Sequence, residues 1–100
     1  MKAVALGTVC SAIAICLLPM VGMAQTFTPT FEQGVARVGG NYRTLESGPD
    51  PKSCQDSCIA DPQCRAWTFN DWKPHCNLKD RVPLPAISSH LWSGVVRPEP

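Results

Sequence analysis

Charge is scarce in this 100-residue chain: 17% of its residues are Asp, Glu, Lys or Arg, and the formal net charge is +1. Without a basic excess there is no electrostatic case for nucleic acid or an anionic membrane as partner. No Cys-x-x-Cys pair occurs. That argues against a thiol–disulfide oxidoreductase, which needs an accessible low-pKa cysteine, and against the knuckles of ordinary zinc sites. Gly39-Gly40 is followed by no Lys-Ser/Thr and no strand–helix unit surrounds it, so it is no phosphate loop. Paired carboxylates are missing. Ser88, Ser89 and His90, with Asp80 upstream, lack the strained nucleophile turn and oxyanion hole of a hydrolase. The chain is therefore read as non-catalytic, with no cofactor and no metal. It has no internal repeat and no low-complexity segment.

One long apolar run is present, residues 3–23, behind Met1-Lys2 and ending in Gly22-Met23-Ala24. A short positive start, an apolar middle and a small-residue end describe a secretory leader, with cleavage expected after Ala24. The run is also about long enough to span a bilayer, so an uncleaved anchor is the alternative; Pro19 and the small residues near Ala24 favour cleavage. Cys10 and Cys16 would leave with the leader. The remainder is expected to be secreted or periplasmic and free of the membrane. It divides into a lead-in (25–30), one domain (31–96) and a tail (97–100). A domain this small buries little surface and often needs covalent staples, which suits an oxidising compartment.

Those staples lie between Cys54 and Cys76. A short helix is expected from about Pro51 to Ala60. Asp50 can cap it, with Pro51 at the first helical position; Ser53, with Asp56 three residues on, is a rival cap. Asp61-Pro62 ends it, because a residue before proline is pushed out of the helical region. Cys54 and Cys58 then share one face, one turn apart. Side chains stacked in this way point in the same direction, so bridging them to each other is the poorest of three pairings. Cys64, just past the turn, returns nearest Cys58. The prediction is Cys58–Cys64 nested inside Cys54–Cys76. A site of four thiolates, with His75, is the rival.

Around the helix, Val35 to Val38 reads as a short strand, and Gly39-Gly40-Asn41 as a turn. Tyr42 to Leu45 alternates as a strand with Tyr42 and Leu45 able to reach the core. Arg65 to Asn70 forms a strand whose Trp67 and Phe69 face the core under the helix with Ile59. His75 to Lys79 follows, Leu78 inward. Asp80 to His90, with Pro83 and Pro85, reads as an extended crossing loop. Leu91 to Val96 closes the sheet, Gly94 easing a bulge or close approach.

The run Cys-x3-Cys-x5-Cys-Arg-Ala-Trp-Thr-Phe, then Cys-x-Leu-Lys, then Trp-Ser-Gly-Val-Val, resembles the PAN/apple domain, in particular the short bacterial PAN-type modules. Gly39-Gly40-Asn41-Tyr42 is similar to the Gly-Gly-Asp-Tyr that opens many of them. The resemblance spans about Phe31 to Val96 and implies the same nested bridges. It also implies an α+β fold, one short helix packed on a small antiparallel sheet of four or five strands. Three features depart from the pattern: the third bridge of larger apple domains has no cysteines here, Asn41 stands where Asp is common, and Asn77 stands where an aromatic often follows the cysteine.

The function the resemblance implies is non-catalytic contact with a protein or carbohydrate. Asp71, Trp72, Lys73 and His75, on and beside a polar loop, are candidate contacts, with Trp92 as a further aromatic; equally, Trp72 could cover an edge of the core. The alternative function is a small secreted inhibitor or accessory subunit of an exported enzyme, inserting the Asp71–Pro74 or Arg81–Ser89 loop into a cleft.

Overall fold

Asp50 begins the ordered centre of the fold. The computed structural model describes residues 27–46 and 50–99, so the expected leader lies outside the described residues. The Asp50 carboxylate accepts from the backbone N–H of Lys52 at 2.8 Å, and helix α1 runs Pro51–Ala60. Asp50, and not the rival Ser53, is the N-cap. At the other end Asp61 turns extended and returns its N–H to the Cys58 carbonyl at 3.2 Å.

The helix presents Cys54, Gln55 and Cys58 to the interior. Disulfides join Cys54 to Cys76 and Cys58 to Cys64, as the spacing predicted. The rival thiolate site falls, because each sulfur is bonded to another sulfur.

Beneath the helix lies one antiparallel sheet. Its strands are β1 (Glu32–Arg37), β2 (Asn41–Leu45), β3 (Ala66–Asn70), β4 (His75–Lys79) and β5 (Pro85–Val95), in the order β1-β5-β3-β4-β2. Alternation along β3 and β4 sends Trp67, Phe69, Cys76 and Leu78 toward the helix. They form the core with Cys54, Cys58, Cys64 and Val96, and Tyr42, Leu45 and Trp92 pack around them. Phe31 adds to this side, its ring 5.7 Å from Trp67 and 5.5 Å from Trp92.

Gly94 is where β5 crosses the Trp67 indole. A Cβ there would lie 2.5 Å from the Thr30 carbonyl oxygen and 2.6 Å from Trp67 Nε1, so only glycine fits. The close approach expected of Gly94 is real.

Three sequence expectations need correction. Pro85 to His90 is not crossing loop but the first half of β5, and only Asp80–Leu84 remains loop. Proline is tolerated because Pro85 is the first strand residue, opposite Arg37 on the edge strand. Ile59 is 46% exposed rather than packed with Trp67, because the buried face of α1 is carried by Cys54 and Cys58. Arg97 is not in a loose tail. Its guanidinium donates to the carbonyls of Cys58, Ile59, Asp61 and Cys64, satisfying acceptors that the end of α1 would otherwise leave open.

Candidate functional site

The side of the sheet away from α1 carries the polar half of the alternation: Thr68 and Asn70 on β3, His75, Asn77 and Lys79 on β4, Leu91 and Ser93 on β5. Their neighbours fix this placement, since Thr68 pairs with Asn77 and Ser93, and Asn70 with His75 and Leu91.

This face is partly roofed. At Gln33 and Val35 the partners on β5 jump from Trp92 to Ile87, so Ser88–Leu91 bulge out against Gly34. A bulge bends the strand that carries it and steepens the local twist. The end of β1 and the turn to β2 lie over the polar face as a strap, with Thr68 Oγ1 donating to the Arg37 carbonyl and Lys79 to that of Gly39. Ser93 Oγ donates to the Val35 carbonyl at 2.7 Å, and Thr68 Oγ contacts Ser93 Oγ at 3.0 Å. Gly39 and Gly40 make the turn with φ of 103° and 76°, a region costly to other residues. Arg81 lies against both, so a Cβ at either would meet its side chain at 2.8 Å.

Between strap and sheet is a cavity of about 190 Å³, whose polar lining includes Arg37, Asn41, Asn70, His75, Asn77 and Lys79, beside apolar surface from Ala36, Val38 and Leu91. Lys79 is its unusual member. It is 2% exposed, and its ammonium donates to Gly39 O at 3.1 Å and Asn41 Oδ1 at 2.6 Å. No carboxylate pairs with it among the described residues. Burial, aided by repulsion from Arg81, lowers its pKa to about 8. The other strong cation is already committed. Arg37 holds Glu32 through two hydrogen bonds of 2.9 Å and the Pro83 carbonyl at 2.7 Å. The same pair holds the Glu32 carboxyl below its ordinary value.

The side-chain amides around Lys79 are oriented by their neighbours. Asn41 Oδ1 faces an ammonium, which can only donate. Asn70 Oδ1 accepts from the backbone N–H groups of Trp72 and Lys73 at 2.9 and 3.2 Å. Asn77 Oδ1 accepts from Thr44 Oγ at 2.7 Å. For Asn41 and Asn70 the oxygen is thereby fixed as the acceptor and the NH2 remains; the Thr44 hydroxyl can donate or accept and leaves Asn77 free to turn either way. The amides beside Lys79 thus offer donors to the cavity.

The five residues singled out in the sequence do not converge on one spot. His75 lines the cavity. Trp72, 73% exposed at the tip of the β3–β4 hairpin, stacks on His90 with ring centroids 3.8 Å apart. Asp71 and Lys73 are exposed in the same turn. Trp92 pairs with Phe69 and packs toward the helix side. Sequence reasoning did not single out Lys79. It noted Asn41 and Asn77 only as departures from the PAN pattern, and both prove to line the cavity. No local signal in the sequence marks Lys79, since β2 and β4 become neighbours only in the folded sheet.

Residues 35–79 match the family model described as the PAN domain, and these residues contain α1, both disulfides and most of the cavity wall. The chain carries a PAN domain. PAN domains are generally non-catalytic modules for protein or carbohydrate contact. An uncharacterized protein of Acanthamoeba polyphaga mimivirus, L719, is 32% identical over 57 residues. That stretch is 57% of this chain and 16% of the viral protein, so the chain spans about a sixth of that relative's length. Among the described residues of this PAN domain, no helix is long and apolar enough to cross a membrane.

The buried ammonium gives the PAN domain a pH signature. In the unfolded chain Lys79 returns to the ordinary 10.5, whereas in the fold it is about 8. Between these values the unfolded chain binds more protons, so stability rises with pH, by about 3 kcal/mol in full. Tyr42 opposes this at higher pH. Burial, and then its 2.7 Å hydrogen bond to Asp61, raises its pKa to about 12. Its stabilisation is complete below about pH 10 and is lost as pH climbs through about 12. Urea midpoints are therefore expected to rise from pH 7.5 to near 10 and fall above it. Lys79→Met is expected to flatten the rise; an unchanged rise would mean that another group produces it.

Proposed function

We propose that this PAN domain is a non-catalytic binding module acting outside the cytoplasm, and that its ligand enters the cavity under the β1–β2 strap. The observation that carries this reading is the Lys79 ammonium, buried beside side-chain amides with no carboxylate among the described residues to neutralise it. A buried cation without an ionic partner costs stability, and functional sites are where such costs recur. Two buried disulfides fit an oxidising compartment. The donor-rich wall suits a polyhydroxylated or acidic ligand.

The test is an NMR titration of the oxidised protein with a panel of neutral and acidic sugars, following side-chain amides. Shifts at Asn41, Asn70 and Asn77 are expected for at least one sugar. Silence at these amides with every sugar, together with a tight complex with an exported enzyme, would replace this reading with the inhibitor or accessory-subunit one. That second reading draws on the Asp80–Leu84 loop, where Leu84 is 87% exposed and free to enter a cleft.

A further inference from the structure

Resting on that reading of the cavity, we infer that its ligand is an acidic sugar, a hexuronate unit whose carboxylate pairs with Lys79 and whose hydroxyls accept from Asn70 and Asn77.

The first argument is charge. Lys79 lies in the cavity wall with two of its three N–H donors used, on Gly39 O and Asn41 Oδ1. Arg37 is spent on Glu32 and Pro83, and Arg81 lies against Gly39 and Gly40 and adds only positive potential. The site therefore lacks one negative charge. A carboxylate supplies one, accepts several hydrogen bonds and donates none. Charge-assisted bonds of this kind are the strong ones, more so away from water.

The second argument is the wall. With the oxygens of Asn41 and Asn70 occupied, their NH2 groups remain in the cavity wall with the ammonium, and Asn77 can turn its own NH2 to join them. A neutral sugar meets these donors with hydroxyls alone, whereas a hexuronate adds a carboxylate that only accepts. A ligand that brings its own acceptors suits this wall better.

The third argument is size and backbone. A cavity of about 190 Å³ is below the usual range of roughly 300–1,000 Å³ for drug-sized ligands, so it admits a single small unit. Capture of a peptide carboxylate generally uses a free strand edge or a backbone nest. The floor here is β3 and β4, both paired on either side in the sheet. Recognition is left to side chains, as for one sugar ring. Leu91 and Ala36 supply apolar surface for that ring's C–H face.

Calorimetric and NMR titrations of the oxidised protein with sodium glucuronate, glucose, inorganic sulfate and acetyl-dialanine test this. Glucuronate is expected to bind at least tenfold tighter than each of the others. Lys79→Met should reduce glucuronate affinity at least tenfold without changing the disulfide map. Asn41→Asp keeps the acceptor for Lys79 and adds the missing charge; it should fold as well or better, yet lose glucuronate to the same degree. Glucose binding as tightly as glucuronate, with shifts in the cavity, would overturn the acidic ligand and leave the binding module intact. Sulfate matching glucuronate would reduce the site to an anion hole, and tighter acetyl-dialanine would replace the sugar with a peptide end; either overturns the inference. No response at the cavity to any probe would remove both this inference and the reading beneath it.

Discussion

Changing Cys54 and Cys76 together to serine is expected to unfold the domain at 37 °C. The bridge closes a sequence separation of 22 residues, and its loop-closure entropy alone corresponds to about 3 kcal/mol. Both residues are fully buried, so two hydroxyls would replace sulfurs in an apolar core. An unsatisfied buried hydroxyl costs about 1–3 kcal/mol more. Small domains hold only about 5–15 kcal/mol in all, and those of this size sit toward the low end. The bridge is also what fixes α1 on β4, since a ten-residue helix does not persist alone. Far-UV circular dichroism and urea midpoints read the effect directly. The Cys58→Ser, Cys64→Ser pair closes a shorter separation of 6 residues and should cost about 2 kcal/mol from the same entropy. If removing Cys54–Cys76 cost under about 1 kcal/mol, packing rather than the bridge would be holding the helix.

Trp67→Ala is expected to cost about 3–5 kcal/mol, the range for emptying a buried indole. Trp67 is the largest fully buried side chain, wedged between Phe31 and the bare backbone of Gly94. Neighbours cannot easily fill the space, because β3 is clamped between β4 and β5 and tied to α1 through the bridge on β4. Trp67→Phe makes the informative partner variant. Trp67 Nε1 has no hydrogen-bond partner among the described residues, so phenylalanine forfeits volume and contacts but no polar interaction with them. It should therefore be clearly milder than alanine in urea unfolding. Equal losses for the two variants would mean that the indole N–H does hold a partner in solution.

What could be read in the sequence was set by local rules. Asp50-Pro51 and Asp61-Pro62 bracket α1 because capping and proline sterics act within a few residues. The two bridges followed from cysteines one helical turn apart beside a short turn. Trp67 and Phe69 were legible as core from strand alternation. The cavity was not, because it depends on a strap brought in from far along the chain. Lys79 looks like a solvated strand-end lysine until Gly39 O and Asn41 Oδ1, 40 and 38 residues away, close over it. The proline-bearing half of β5 misled for a related reason. Whether a proline can join a sheet depends on which neighbour it meets, and Pro85 meets the edge strand at its own first residue.

The strand order also sets a timetable. α1, β3, β4 and the turn that holds Cys64 between α1 and β3 are close in sequence and together carry every cysteine of the described residues, so they can associate and oxidise early. β1 has only β5 beside it, and β5 is the last of the five strands in sequence order. Pairing of such distant segments is slow, because the long loop between them must close before any contact rewards it. The strap over Lys79 depends on that final pairing. The ligand binding proposed for the cavity should thus mature after the disulfides do, so that an oxidised chain need not yet have its strap in place.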